Sequence, residues 1–302
     1  MYDLIIIGAG PAGMTAAVYA ARKKMNALLL SKDHGGQLLW TSGIENYMGF
    51  QFIEGFELMQ KFEEQVKQFP LEQRIGQGAV SLAQVDGGFE IGTDASESYQ
   101  AKAVIIATGK RPRQLGVPGE EELKGRGVTY CATCDGPLFA GEKVAVIGGG
   151  NSALEAADDM IKIAEHVHLI SLTALDGDQI IIDRVKNATN VSILVEHTVT
   201  EIHGSGRVEG VTIKDLRTGD QSKLDVGAVF IEIGLIPNSE FAKGISRRNE
   251  VDEIEVDQGC EMGVPGLFAA GDVTNVPEKQ IVVAAGEGAK AALRAQRYLQ
   301  RL

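Results

Sequence analysis

Cys131 and Cys134 stand in the segment Cys131-Ala132-Thr133-Cys134, and Asp135 follows directly. Such a pair closes into a disulfide by giving up two electrons and reopens by taking them back. The thiolate is the reactive form, and a place in a Cys-x-x-Cys segment favours it. A carboxylate beside the pair is positioned to exchange the proton that each thiol–disulfide step moves. Cys131, Cys134 and Asp135 are therefore the candidate catalytic residues. The third cysteine, Cys260, stands far along the chain and reads as an inert thiol. Three cysteines are too few for a disulfide scaffold or a four-thiolate iron–sulfur cluster, and one Cys-x-x-Cys does not make a zinc site. His34, His166, His168, His197 and His203 show no metal-ligand spacing, so no metal is expected.

A dithiol needs elements that bring electrons to it, and two glycine-rich turns have the right surroundings. The apolar run Leu4–Ile7 leads into Gly8-Ala9-Gly10-Pro11-Ala12-Gly13, then an Ala-rich stretch to about Lys24, then the apolar run Ala27–Leu30. This is the strand–turn–helix–strand setting that gives a Gly-x-Gly-x-x-Gly motif its meaning. Gly8 permits the tight turn, Gly10 lets the backbone approach a pyrophosphate, and Gly13 lets the helix pack on the strand. The helix N-terminus then faces the phosphates. Asp33, about twenty residues past Gly13, is the candidate ribose ligand. The unit recurs with a strand at 143–147, the turn Gly148-Gly149-Gly150-Asn151-Ser152-Ala153, a helix to about Ala164, and a strand at 167–170.

Two further apolar runs end in small or polar residues, Val104–Ala107 in Thr108-Gly109 and Leu267–Ala270 in Gly271-Asp272. Ligands bind at such C-terminal strand ends in open parallel sheets. An amphipathic, Ala-rich helix is expected from Gln280 to Leu299. Phe56, Met59, Phe62 and Val66 recur at helical spacing and read as core. The stretch from Val191 to Ile233 alternates like strands. Loop-like composition at 112–127 and 237–244 marks two hinges.

The composition bounds the rest. A chain of 302 residues suggests about two domains. The formal net charge of −12 argues against a nucleic-acid partner. No run of eighteen apolar residues occurs, so no membrane span is expected. The N-terminus shows no basic leader or cleavage site, and with so few cysteines it points to a reducing cytoplasm.

With these landmarks in order, the chain resembles the low-molecular-weight thioredoxin reductase family over essentially its whole length. After Gly148 it is especially similar to the flavoprotein subunit of alkyl hydroperoxide reductase. Gly35-Gly36-Gln37-Leu38, Glu45-Asn46-Tyr47, Ala107-Thr108-Gly109 and Lys279-Gln280-Ile281 add to the two glycine turns and the cysteine segment. The resemblance implies an α/β fold of two Rossmann-like, three-layer ββα nucleotide-binding domains, the second inserted in the first. An FAD-binding domain would comprise residues 1–113 and 243–302, and a nicotinamide-type domain with the dithiol residues 114–242. It implies FAD held at Gly8, Gly10, Pro11, Ala12 and Gly13, with Asp33 on its ribose and Val80 meeting the adenine through its backbone. Gly36, Gln37, Leu38 and Asn46 would approach the flavin side, with Thr108 and Gly109 nearby. Gly271 and Asp272 would meet the ribitol chain, and Lys279, Gln280 and Ile281 the pyrimidine edge. Gly148, Gly150, Asn151 and Ser152 would receive the nicotinamide nucleotide. Cys134 would face the flavin, Cys131 would attack a partner's disulfide, and Asp135 would be the acid–base. A homodimer and rotation of the middle domain about its hinges are implied as well.

One departure bears on the electron donor. NADPH-using members carry an arginine-rich run after the second strand of the second unit, whose rigid guanidiniums suit a 2′-phosphate. Here the run is Ser171-Leu172-Thr173-Ala174-Leu175-Asp176-Gly177-Asp178, with two carboxylates and no arginine. NADPH is disfavoured on charge. NADH is the expected donor, with Asp176 or Asp178 as candidate ribose ligands; ferredoxin or a deazaflavin is the alternative. The expected activity is disulfide reduction of a thioredoxin- or glutaredoxin-like protein. The alternative is service to a peroxidase system, which would need a separate thiol partner.

Overall fold

A computed structural model of the chain describes residues 1–40 and 44–302. The strand Tyr2–Ala9 carries Leu4, Ile5, Ile6 and Ile7, all buried. An unbroken apolar run suits a parallel strand covered on both faces. Leu4 and Ile6 pack with the helices Pro11–Arg22, Gly55–Lys67 and Ile281–Leu299. Ile5 and Ile7 pack on the opposite side with Leu82, Phe89 and Ile91 from the antiparallel strands Ala79–Val85 and Gly88–Thr93. One sheet thus separates a helical layer from a β layer.

The strand Ser98–Ile106 joins those layers. Its first half pairs antiparallel with Gly88–Thr93, placing Phe89 opposite Ala101. Its second half runs parallel to Tyr2–Ala9, with Ile5 opposite Val104, and to Leu267–Ala269, with Leu267 opposite Val104. The strands Ala27–His34 and Glu72–Ile75 extend the other edge.

The middle of the chain repeats the plan. A five-stranded parallel sheet is ordered Val191–Val195, His166–Ser171, Lys143–Ile147, Ala228–Ile231, Val128–Thr129. The helices Asn151–Ile161 and Gln179–Asn187 cover one face, and the antiparallel strands His197–His203, Gly210–Asp215 and Gln221–Leu224 the other. The first sheet draws on residues before 107 and after 266, the second on residues 128–231, so the second unit is inserted in the first.

The two crossings between the units pair with each other. Lys110–Pro112 and Leu235–Pro237 form a two-stranded antiparallel ribbon, with Lys110 opposite Pro237 and Pro112 opposite Leu235. Arg111 donates from its guanidinium to Asn238 Oδ1 at 2.6 Å and to Glu240 at 2.7 Å. Lys110, nearly buried, pairs with Glu253 at 2.5 Å. The ribbon ends at Pro112 and Pro237, where the loop-like stretches 112–127 and 237–244 begin.

The helical stripe of Gly55–Lys67 needs one correction. Met59 and Val66 are buried, but Phe56 is 55% exposed and Leu58 takes a core place instead. Successive steps of three residues drift about 60° round a helix, which carries Phe56 off the buried face. Among the described residues no helix is long and apolar enough to cross a membrane.

Gly13 packs its helix directly on the first turn. A Cβ there would lie 1.7 Å from the carbonyl oxygen of Gly8, and Gly8 itself has φ +107°. Gly13→Ala forces backbone apart and is expected to cost at least about 1–3 kcal/mol, read as a lowered Tm. An unchanged Tm would show that this close approach is dispensable.

Candidate active site

The dithiol residues sit on a single helical turn. Cys131 is the N-cap of the short helix Ala132–Asp135, in extended conformation, and a disulfide joins it to Cys134 with Cα atoms 5.3 Å apart. The backbone N–H of Cys134 donates to Cys131 Sγ at 3.2 Å. Thr129, at the end of its short strand, accepts from Cys131 N at 3.3 Å and donates its hydroxyl to Asp135 Oδ2. Asp135 is 3% exposed, and its Oδ1 is buried with no hydrogen-bond partner. Burial pushes its carboxyl up to about 6, against the pull of the Thr129 hydroxyl. A carboxyl poised there can hold or release a proton near neutrality.

The disulfide opens on a cleft of about 1010 Å³ between the two units. The upper end of the usual range for small-molecule sites is about 1,000 Å³, so this cleft suits a dinucleotide-sized ligand. Gly8, Gly10, Pro11, Ala12, Asp33, Gly36, Gln37, Leu38 and Val80 line one part of it. Thr108, Gly109, Gly271, Asp272, Lys279, Gln280 and Ile281 line another, and Cys131, Cys134, Asp135 and Ser152 the middle-unit wall.

The walls of this cleft are built by local rules. Proline at the first helical position after Gly10 leaves the helix N-terminus facing the cleft. A Cβ on Gly10 would meet nothing within 4 Å, so the turn stays open on the cleft side. Ser31 Oγ accepts from Ala9 N at 3.0 Å and ties the turn to the next strand. Gln37 Nε2 donates to Asp272 Oδ2 at 3.1 Å. Burial holds Asp272 above the ordinary carboxylate range, opposed by Lys279 and Lys110. Asn46, which is exposed, donates to Gln280 Oε1 at 3.1 Å.

Gly13 also stands outside the cleft, in the helix–strand contact. So do Gly148, Gly150 and Asn151. They form a second turn at the end of strand Lys143–Ile147, and Asn151 begins the helix Asn151–Ile161. Asn151 Oδ1 accepts from Asp178 N at 2.8 Å, and Asp176 N donates to Gly149 O at 2.8 Å, so the 171–178 segment lies against this turn. Asp178 is exposed, and its Oδ1 caps the helix Gln179–Asn187 by accepting from Ile180 N at 2.8 Å. Ser171 is buried.

Several groups at the site escape a reading of the sequence alone. Glu232 follows the strand Ala228–Ile231, lines the cleft and accepts from Ala132 N at 3.1 Å. Burial lifts it to about 7, Ala132 N–H opposes this, and Glu155 adds to it. A charged residue at the C-terminal end of a parallel strand is the signal that could have found it. Glu287, buried in the last helix, accepts from Gly271 N at 2.8 Å and holds the turn before Asp272. Lys110 and Lys279 converge on Glu253, Lys279 at 3.0 Å. Cys260 is 1% exposed, and burial pushes its thiol up to about 11.

Two dinucleotide-type units, one cleft and a disulfide on its wall define the architecture of a flavin disulfide reductase. Residues 2–288 match the model of the pyridine nucleotide-disulphide oxidoreductase family, and the chain belongs to that family. It is 43% identical to the F subunit of alkyl hydroperoxide reductase from Escherichia coli strain K12 over 305 residues, covering 99% of this chain and 58% of that protein. It is 41% identical to the NADH dehydrogenase of Bacillus subtilis strain 168 over 301 residues, covering 99% and 59%. The chain thus spans less than two thirds of those relatives' length. Thioredoxin reductase of Streptococcus pyogenes matches over 100% of this chain and 99% of its own, with 37% identity and a TM-score of 0.94. That of Lactococcus lactis in its FR conformation covers 100% of both, with 36% identity and a TM-score of 0.70.

Proposed function

We propose that the chain carries electrons from a donor through FAD and the Cys131–Cys134 pair to the disulfide of a thioredoxin- or glutaredoxin-like protein. The observation that carries this reading is that the Cys131–Cys134 disulfide and the first glycine turn open on the same cleft. When bound, FAD supplies a two-electron carrier between the donor and sulfur. Gly8, Gly10, Pro11 and Ala12 would hold its pyrophosphate, with Gly13 seating their helix, and Asp33 and the Val80 backbone its adenosine. Gly36, Gln37, Leu38, Thr108, Gly109, Gly271, Asp272, Lys279, Gln280 and Ile281 would surround the rest, with Asn46 orienting Gln280.

The residues then divide the sulfur chemistry. Cys131 as a thiolate attacks one sulfur of the partner disulfide, forming a mixed disulfide and releasing a partner thiolate, which takes a proton from Asp135. Cys134 as a thiolate attacks Cys131 Sγ, reforming the pair and releasing the second partner thiolate. No electrons are lost in either exchange. A wall site cannot also meet a bulky protein, so the middle unit, divided from the rest near 113/114 and 242/243, rotates about the paired ribbon. Two thioredoxin reductases of nearly equal identity to this chain, covering it equally, fit it at TM-scores of 0.94 and 0.70, which supports more than one arrangement. A homodimer working in a reducing cytoplasm fits the same reading, as does service to a peroxidase through a thiol partner.

Gly148, Gly150, Asn151 and Ser152 would receive a nicotinamide nucleotide, and NADH suits them better than NADPH. The 2′-phosphate brings roughly −1.5 to −2 charge, by analogy with other phosphomonoesters, to a segment holding Asp176 and Asp178 and no cation. Charge-assisted bonds are worth about 1.5–3 kcal/mol each, so NADPH is expected to bind at least about one to two orders of magnitude more weakly than at an arginine-bearing site, and kcat/KM with NADPH to fall below that with NADH. Anaerobic titration with NADH, NADPH and reduced ferredoxin, followed by thioredoxin-coupled turnover, tests the donor and the activity together. Equal use of the two nucleotides would overturn the preference, and flavin bleaching by ferredoxin alone would replace both.

A further inference from the structure

Glu232 stands where the dithiol and the second glycine turn meet. Its backbone N–H donates to Ile147 O at 2.8 Å, continuing the pairing with strand Lys143–Ile147. Its carbonyl oxygen packs on the turn so closely that a Cβ on Gly148 would lie 2.4 Å away. Its side chain reaches the other way and accepts from the N–H of Ala132 at 3.1 Å, between the two cysteines. That N–H lies only a few bonds from Cys131 Sγ, so the carboxylate sits within roughly 8 Å of the sulfur.

We propose that Glu232 is a positioning residue of the dithiol: it holds the redox turn through Ala132 and places a carboxylate beside it that opposes a thiolate on Cys131. Two effects compete at that sulfur. The Cys134 N–H donates to it and favours the thiolate. The Glu232 carboxylate, when charged, disfavours it, because like charges in a partly buried site repel with little screening. The contest changes with pH, since burial and Glu155 bring Glu232 to about 7. Glu155 lies on the helix packed beside the redox turn, and Asp159 shares its cleft-facing side; Asp135 lies on the redox turn itself. Lys110, Lys279 and Asp272 face the cleft from the other unit. Below the titration of Glu232 only the favourable contact acts on Cys131, and above it the carboxylate holds the thiol back.

This inference shares the reactive dithiol with the proposed function, but its test needs no turnover, so the two can fail separately. In flavin-loaded Cys134→Ser protein, Cys131 is alkylated with iodoacetamide from pH 5 to 9 and followed by mass spectrometry of its peptide. The same is done after adding Glu232→Gln, whose side-chain carbonyl still accepts from Ala132 N–H and so keeps the turn in place. The two rates are expected to coincide below about pH 6 and to part above it. By pH 8 the glutamine variant should react about tenfold faster. A purely structural role would change the rate by the same factor at every pH. Profiles that superimpose, or that differ by one constant factor, overturn the proposal.

Discussion

Cys134→Ser stops disulfide turnover while NADH, or whichever donor proves active, still bleaches the bound flavin. The serine hydroxyl is somewhat smaller than the thiol and cannot form the sulfur–sulfur bond that closes to Cys131. Members of a catalytic unit that depend on one another cost on the order of 10⁴-fold or more when one is removed, and that is the loss expected here. Cys131→Ser should lose as much, because the two sulfurs carry the electrons together. Cys260→Ser should keep turnover, since its thiol is buried and points to the carbonyl of Glu287. The measurement pairs anaerobic flavin absorbance with thioredoxin-coupled turnover. Wild-type turnover in either dithiol variant would remove the dithiol from the electron path.

Asp135→Asn is expected to cut turnover by roughly two orders of magnitude, the lower end of what a general acid–base supplies. The asparagine keeps an oxygen for the Thr129 hydroxyl but cannot give up or take a proton. In the wild type, the step that draws a proton from Asp135 should slow as pH rises through about 6, where this carboxyl empties. The variant should show no such limb. Stability also falls as pH rises. The folded carboxyl titrates at about 6 against an ordinary 3.8, so its favourable contribution is complete below about 3.8 and is lost as pH rises through about 6. The loss is worth about 3 kcal/mol, and the asparagine variant should be more stable than wild type at pH 7 by an amount of that order. Denaturant melts at pH 4 and pH 7 measure it. A variant that keeps both the wild-type pH profile and the wild-type turnover would take Asp135 out of the reaction.

Whatever local geometry alone dictates is legible in the sequence. Gly8 and Gly13 are required by one turn and one close approach, and both are where the motif puts them. The apolar runs Leu4–Ile7 and Val104–Ile106 are strands because they are covered on both faces. Groups that meet only through the tertiary fold are not legible. Glu232 reaches Ala132 across a hundred positions of chain, and Glu253 gathers Lys110 and Lys279 from two different segments. The cap made by Asp178 follows a local rule that charge counting leaves out. An aspartate just before a helix can accept from the helix's first N–H groups, and Asp178 does so with Oδ1. Phe56 departs because a spacing of three is not a helical face over more than a turn or two.

The paired ribbon of Lys110–Pro112 and Leu235–Pro237 also bears on how the chain can fold. Completing the first sheet requires Leu267–Ala269 to find Val104–Ile106 across the whole inserted unit. Closing so long a loop from the unfolded chain is a slow route, since non-local strand pairing offsets its entropy cost only late. The inserted unit draws its sheet from one continuous stretch and closes shorter loops, its widest pairing, Val229 with Val128, lying within residues 128–231. Once it is folded and the ribbon is zipped, the two flanks of the outer sheet leave it side by side. A remote encounter becomes a neighbourly one, and the insertion acts as a template for the unit that surrounds it.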